Sequence, residues 1–182
     1  MTSDARVIDV PGIARFEIAP HHCFACGTLN TQGMGLVLHV EPERAWADLT
    51  LEPRFQGWDG IAHGGILATI LDEVMAWSLA GTDAWGVTGR MSIDFRKPVP
   101  LEAPLHAEGW IIRQRRRIID TAGRIVDARS GLEYARSTGV YVAADEQRKA
   151  ELRARYGLRP ASPALPSASI DGESAGRVDV IG

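Results

Sequence analysis

Two features nine residues apart carry the polar chemistry this sequence can offer: His63-Gly64-Gly65 and Asp72. Both lie in Gln56-Gly-Trp-Asp-Gly-Ile-Ala-His-Gly-Gly-Ile-Leu-Ala-Thr-Ile-Leu-Asp-Glu73. The Gly-Gly pair falls where helical spacing begins, and the first N–H groups of a helix have no internal partners. Those donors, with the positive end of the helix dipole, suit an anion or an oxygen gaining negative charge. Glycine also leaves no Cβ between a ligand carbonyl and the backbone. A plain turn ahead of a helix explains the same two glycines. Asp72 sits among Ile70, Leu71, Val74 and Met75, with small Ala68, Thr69 and Ala76 as its helical neighbours. A lone aspartate inside a helix has poor propensity and is costly to bury. Its small neighbours leave room for a substrate or a second subunit. The competing reading turns Asp72 and Glu73 to solvent at a break in the apolar stripe.

Other groups carry weaker signals. His21-His22-Cys23-Phe-Ala-Cys26 offers half of a zinc site, but such a site takes four ligands and no second Cys or His pair follows. The expectation is therefore no metal, no redox pair and no cofactor. Arg113, Arg115, Arg116 and Arg117 form a basic cluster that reads as a solvated strand end or turn before it reads as a phosphate site. Arg90, Arg96 and Lys97 are at least as good candidates for phosphates. Trp58, Trp77, Trp85 and Phe95 suit an acyl pocket or simply a core.

The elements that must position these groups follow from periodicity. Gly65 to Leu79 is the longest helical stretch, with Leu67, Ile70, Leu71, Val74 and Ser78 at helical spacing and no proline. Strand-like runs precede it at Gly35–Val40 and Arg44–Leu51, joined by a turn at Glu41-Pro42-Glu43. Four more follow it, at Met91–Lys97, Leu105–Arg113, Arg117–Ala128 and Tyr134–Ala143. One long helix among consecutive strands predicts an α+β fold, an antiparallel sheet curled around the helix. The chain divides into a lead-in (1–34), this α+β domain (35–143), a charged C-terminal helix (144–157) and a Pro/Ala/Ser/Gly tail (158–182) expected to be disordered.

Composition limits the function classes. With 45% hydrophobic and 24% charged residues, the chain is an ordinary globular one. A net charge of −3 argues against a nucleic-acid binder. No run reaches the ~20 apolar residues of a membrane-spanning helix. The first ten residues lack the apolar stretch of a signal peptide, and two cysteines cannot staple a secreted scaffold of this size, so the cytoplasm is the expected location.

Taken together, Gln-Gly-x-x-Gly-x-x-His-Gly-Gly and Leu-Ala-Thr-Ile-Leu-Asp resemble the signature of PaaI-like hotdog-fold acyl-CoA thioesterases of the thioesterase superfamily. Three further segments are similar to the same family: Cys23 to Leu36, Thr88 to Pro100 and Ala135 to Val142, so the resemblance covers about residues 23–143. It implies a curved antiparallel sheet around a central helix and a homodimer or homotetramer with active sites between subunits. It also implies that Asp72 is the catalytic carboxylate, Gly64 the glycine whose N–H polarises the thioester carbonyl, and Thr88 the hydroxyl that helps place the water. His63 then orients the helix start, with Gly65, Gln56, Arg90, Arg96 and Lys97 around the substrate. One departure stands out: where many relatives have asparagine six residues before the histidine, this chain has Gly57, preceded by Gln56.

The implied chemistry needs no metal. Water attack on a thioester puts negative charge on the carbonyl oxygen, which a preorganised N–H can stabilise. A carboxylate can act as general base or as a nucleophile forming an anhydride, and both routes stay open. Two other classes also remain: a hotdog module that binds acyl-CoA without turnover, and a dehydratase-like enzyme. The first is disfavoured by the intact Asp72 and Gly64. The second would place a histidine on the helix, where this chain has a carboxylate.

Overall fold

The computed structural model describes residues 6–10, 14–82, 84–156 and 159–160. Its centre is helix α1 (Gly64–Ser78), whose Leu67, Ile70, Leu71, Val74, Met75 and Ser78 are all buried. Around it lies a six-stranded antiparallel sheet of β3 (His39–Glu41), β4 (Arg44–Leu49), β5 (Gly86–Phe95), β6 (Leu105–Arg115), β7 (Ile118–Asp127) and β8 (Glu133–Ala143). The strand order is β3-β4-β6-β7-β8-β5. All six strands touch α1, so the sheet wraps the helix. This is the α+β hotdog arrangement that the sequence predicts.

Alternation along the strands explains the wrapping. In β8, Ala135, Ser137, Tyr141 and Ala143 are buried while Arg136 and Thr138 are exposed, the period-two pattern of a half-covered strand. The closest approach of helix to sheet is at Gly109 on β6, where a Cβ would stand 2.6 Å from the Met75 nitrogen. Any side chain there would push α1 off the sheet. On the outer face, Glu108 is buried beneath two guanidinium groups: Arg44 donates to it at 2.6 Å and Arg124 at 2.6 Å. Burial pushes the Glu108 carboxyl up, but the bonds and charges of Arg124 and Arg44 outweigh it and hold it below the usual carboxylate range.

Several boundaries differ from the sequence reading. The run Gly35–Val40 joins the sheet only from His39, because Gly35 turns through a positive φ of 63° and the Leu36 N–H bonds to Ala25 rather than to a strand. The strand after α1 starts at Gly86, earlier than Met91, and ends at Phe95, leaving Arg96 and Lys97 to donate their N–H groups to the Tyr134 carbonyl. The lead-in contains two strands, β1 (Arg6–Val10) and β2 (Ala14–Ile18), which the sequence reading did not place. They form a second, three-stranded sheet with β9 (Arg159–Pro160), which lies inside the stretch read as tail. The rest of that stretch, 158 and 161–182, is outside the described residues. Helix α2 (Glu146–Tyr156) matches the charged segment, with Asp145 accepting from the Arg148 N–H at its start. Among the described residues, no helix is long and apolar enough to cross a membrane.

Candidate active site

The start of α1 is built from its own loop. His63 is the N-cap, in extended conformation, and its Nδ1 accepts from the Gly65 N–H at 2.9 Å. That acceptor role puts the ring proton on Nε2. The Gly65 amide is therefore occupied, whereas the Gly64 N–H makes no hydrogen bond among the described residues. Gln56 closes the preceding loop by accepting from the Gly60 N–H at 3.0 Å, and Gly57 packs so tightly that a Cβ would lie 2.9 Å from the His63 Cα. Gln56 thus shapes the loop that presents His63 and Gly64.

Beside Gly64 is a cleft of about 390 Å³ lined by Trp58, Phe95, Arg96, Lys97 and Pro98 among others. Trp58 is 84% exposed and Phe95 55%, an unusual amount of bare aromatic surface next to a helix start. Arg96 also pairs with Glu133 at 2.9 Å. Arg90 does not join this cleft. It lines a separate groove on the sheet with Arg113 and Asp120, themselves an ion pair.

Asp72 is two turns further along α1, where it meets β5 and β8. Thr88 Oγ1 donates to Asp72 Oδ1 at 2.7 Å, and the Tyr141 hydroxyl donates to the same oxygen at 2.8 Å. Tyr141 also reaches the Asp72 backbone carbonyl at 3.0 Å. A register shift between Thr88 and Arg90 marks a β-bulge, a device that re-aims side chains along a strand. Both donors use Oδ1, and among the described residues no bond is made to Oδ2. Tyr141 is fully buried, and burial, then the charge of Asp72, pushes its phenol up. It stays a protonated donor at any ordinary pH.

The reading from sequence brought Asp72 and Thr88 together but missed Tyr141. A tyrosine in the middle of an alternating strand needs a partner for its buried hydroxyl, which was the available signal.

Glu73, the next residue, faces the opposite way. Trp77 Nε1 donates to it at 2.9 Å, and the Cys23 sulfur is 4.0 Å from its other oxygen. Burial, followed by the neighbouring Cys23, pushes its carboxyl up to about 7. Two adjacent carboxyl groups thus occupy opposite environments, one held by hydroxyl donors and one by apolar burial.

Comparison with known proteins identifies this architecture. The family model of the thioesterase superfamily matches residues 59–134, a span that contains His63, Gly64, Asp72 and Thr88. The acyl-coenzyme A thioesterase THEM4 of Bos taurus is 26% identical over 98 residues, covering 53% of this chain and 39% of that protein. The chain thus spans well under half the length of this curated relative. A solved thioesterase superfamily protein superposes with a TM-score of 0.62 at 30% identity, covering 66% of this chain and 60% of the other. A hypothetical thioesterase from Streptococcus pneumoniae, solved with coenzyme A, gives a TM-score of 0.56 at 20% identity, over 59% of this chain and 84% of that one. Fold and matches together define a hotdog domain similar to those of the thioesterase superfamily. Residues 59–134, the stretch from the loop before α1 into β8, carry the likeness to that superfamily.

Proposed function

We propose that the protein hydrolyses acyl-CoA to the free acid and CoA, with Asp72 as the catalytic carboxylate and the Gly64 N–H as the oxyanion donor. The observation that carries this reading is the way Asp72 is held. Two hydroxyl donors anchor Oδ1 and leave Oδ2 for a water or for the substrate carbon. A fixed carboxylate with one free oxygen fits a general base that deprotonates the attacking water. The same oxygen can act as a nucleophile. Single-turnover hydrolysis in ¹⁸O-water tests the nucleophilic route, since label reaches the protein only when water opens an anhydride at the Asp72 carbon.

Gly64 and Asp72 of one chain cannot serve the same carbonyl. Eight residues of helix separate them by about 12 Å along the axis. The site we propose is therefore shared, with Gly64 of one protomer facing Asp72 of its partner. Strand β5 suits such a dimer: it is the outer strand of the six-stranded sheet, ten residues long, with Val87 and Phe95 exposed. An edge of that length needs to be paired or covered. Arg96 and Lys97, beside the Gly64 cleft, are placed to meet CoA phosphates, and the coenzyme A named for the S. pneumoniae neighbour is in keeping with that ligand. Free thiols at Cys23 and Cys26 suit a cytoplasmic location.

The test is a panel of acyl-CoAs of different chain length, followed with a thiol-detecting reagent. We expect stoichiometric CoA release and a preference for one range of acyl groups. Tight binding of acyl-CoA without release would replace this reading by a binding module.

A further inference from the structure

The Cys-x-x-Cys turn in the lead-in is half of a zinc site when read along the sequence, and the fold brings Glu73 of α1 to it, with His21 beside Cys26. The sulfurs of Cys23 and Cys26 and a carboxylate oxygen of Glu73 all lie within 4.8 Å of one another. His21 Nε2 is 3.6 Å from the Cys26 sulfur. A tetrahedral zinc with Zn–S near 2.3 Å and Zn–N or Zn–O near 2.0–2.1 Å sets its ligand atoms roughly 3.5–3.8 Å apart. The Cys26–His21 distance is already in that range, and the Cys23–Glu73 distance of 4.0 Å needs only a small contraction.

The turn itself has the form of a metal-binding knuckle. Gly27 donates its N–H to the Cys23 carbonyl at 3.0 Å. A Cβ at Gly27 would lie 2.4 Å from the Cys23 nitrogen and 2.5 Å from the His21 carbonyl oxygen, so the turn closes only with glycine. The Leu29 N–H bonds to that same carbonyl at 3.0 Å and folds His21 over the two cysteines.

We infer that Cys23, Cys26 and Glu73 form a structural site for a divalent transition-metal ion, with zinc as the ion of choice and the His21 imidazole beside Cys26 turning in as the fourth ligand. Two thiolates, an imidazole and a carboxylate are a borderline-soft donor set that suits zinc over magnesium or calcium. Four protein ligands close the coordination shell and leave no position for water, so the ion is structural and stays out of the hydrolysis. Binding displaces the thiol protons, and any proton on Glu73, to solvent and leaves three anionic groups, one buried and two half-buried, facing one cation. Its mechanical effect is to clamp the lead-in to α1 at the residue next to Asp72.

The full-length protein, incubated with zinc chloride and desalted, should retain one zinc ion per chain by mass spectrometry. Titrated with cobalt chloride, it should develop the visible bands of tetrahedral cobalt(II) and a thiolate-to-cobalt charge-transfer band. Cys23→Ser and Cys26→Ser should lose both signals. Glu73→Gln and His21→Ala should keep the charge-transfer band but need more zinc to compete with a chelating dye. Wild-type protein that retains no zinc and shows no charge-transfer band overturns the inference, a result that does not depend on any variant folding. So does zinc retention at wild-type stoichiometry in both cysteine variants.

Discussion

Asp72 and Glu73 are neighbours on one helix, yet the two faces of α1 treat them in opposite ways. Asp72 looks toward β5 and β8, where Thr88 and Tyr141 donate to one of its oxygens and leave it half-buried. Glu73 looks toward the lead-in, where Trp77 and two cysteines enclose it and burial raises its carboxyl. A turn of about 100° per residue is enough to separate them. Two residues of nearly the same chemistry thus stand in different surroundings, one suited to the reactive role we propose and the other to a structural one.

The largest expected effect comes from Asp72→Asn. The amide oxygen can still accept from Thr88 and Tyr141, so the fold should hold, while CoA release should fall by about 10²–10⁴ in steady-state assays. Release at the wild-type rate would hand the role to Glu73 and reverse the comparison.

Gly64→Pro comes next. Proline is well tolerated at the first helical position, and the extended His63 before it suits a following proline. The nearest neighbour of a Cβ at Gly64 is the Phe95 ring at 3.5 Å, an ordinary contact. The variant should therefore fold, shown by an unchanged circular dichroism spectrum. Loss of its N–H should slow CoA release by about 10²–10³.

Tyr141→Phe should have a smaller effect, roughly tenfold or a little more, because Asp72 keeps Thr88 as a donor. Glu73→Gln should sharpen the contrast from the other side: it should lower the melting temperature of the zinc-loaded protein while CoA release stays near the wild-type rate. A collapse of the rate with melting unchanged would mean that both carboxylates belong to the chemistry.

The smallest effect concerns acid. The Glu108 carboxyl sits below its ordinary value of 4.5 in the folded protein, so the stability it contributes is full above that value and is lost as pH falls through the lowered one. Glu108→Gln should be less stable than wild type at neutral pH, and the gap should narrow in urea titrations carried out well below pH 4.5.

The sequence made α1 legible to within a residue at each end, because its apolar spacing is strict and no proline interrupts it. The positions of Gly64 and Asp72 on that helix were legible with it, while the roles given them came only from the family resemblance. The partners of Asp72 and Glu73 were much less so. Tyr141 reaches Asp72 across 69 positions, and Cys23 reaches Glu73 across 50. Only the strand order and the folding of the lead-in over α1 create those contacts, and local periodicity carries no record of them. Arg90 shows the converse. It shares an alternation face with Arg96 on paper, but six residues of strand put about 20 Å between them. The first lies on the sheet and the second beyond its end, next to Gly64.

The central claim is a hydrolytic site completed by two protomers, and mixing two disabled chains tests it directly. Asp72→Asn and Gly64→Pro chains, co-expressed with different tags, yield a mixed dimer that can be purified on both tags. In a two-fold dimer one of its sites pairs an intact Asp72 with an intact Gly64, while the other carries both defects. The mixed dimer should therefore release CoA at about half the wild-type rate per dimer, far above either parent. A mixed dimer as inactive as its parents would contradict the shared site.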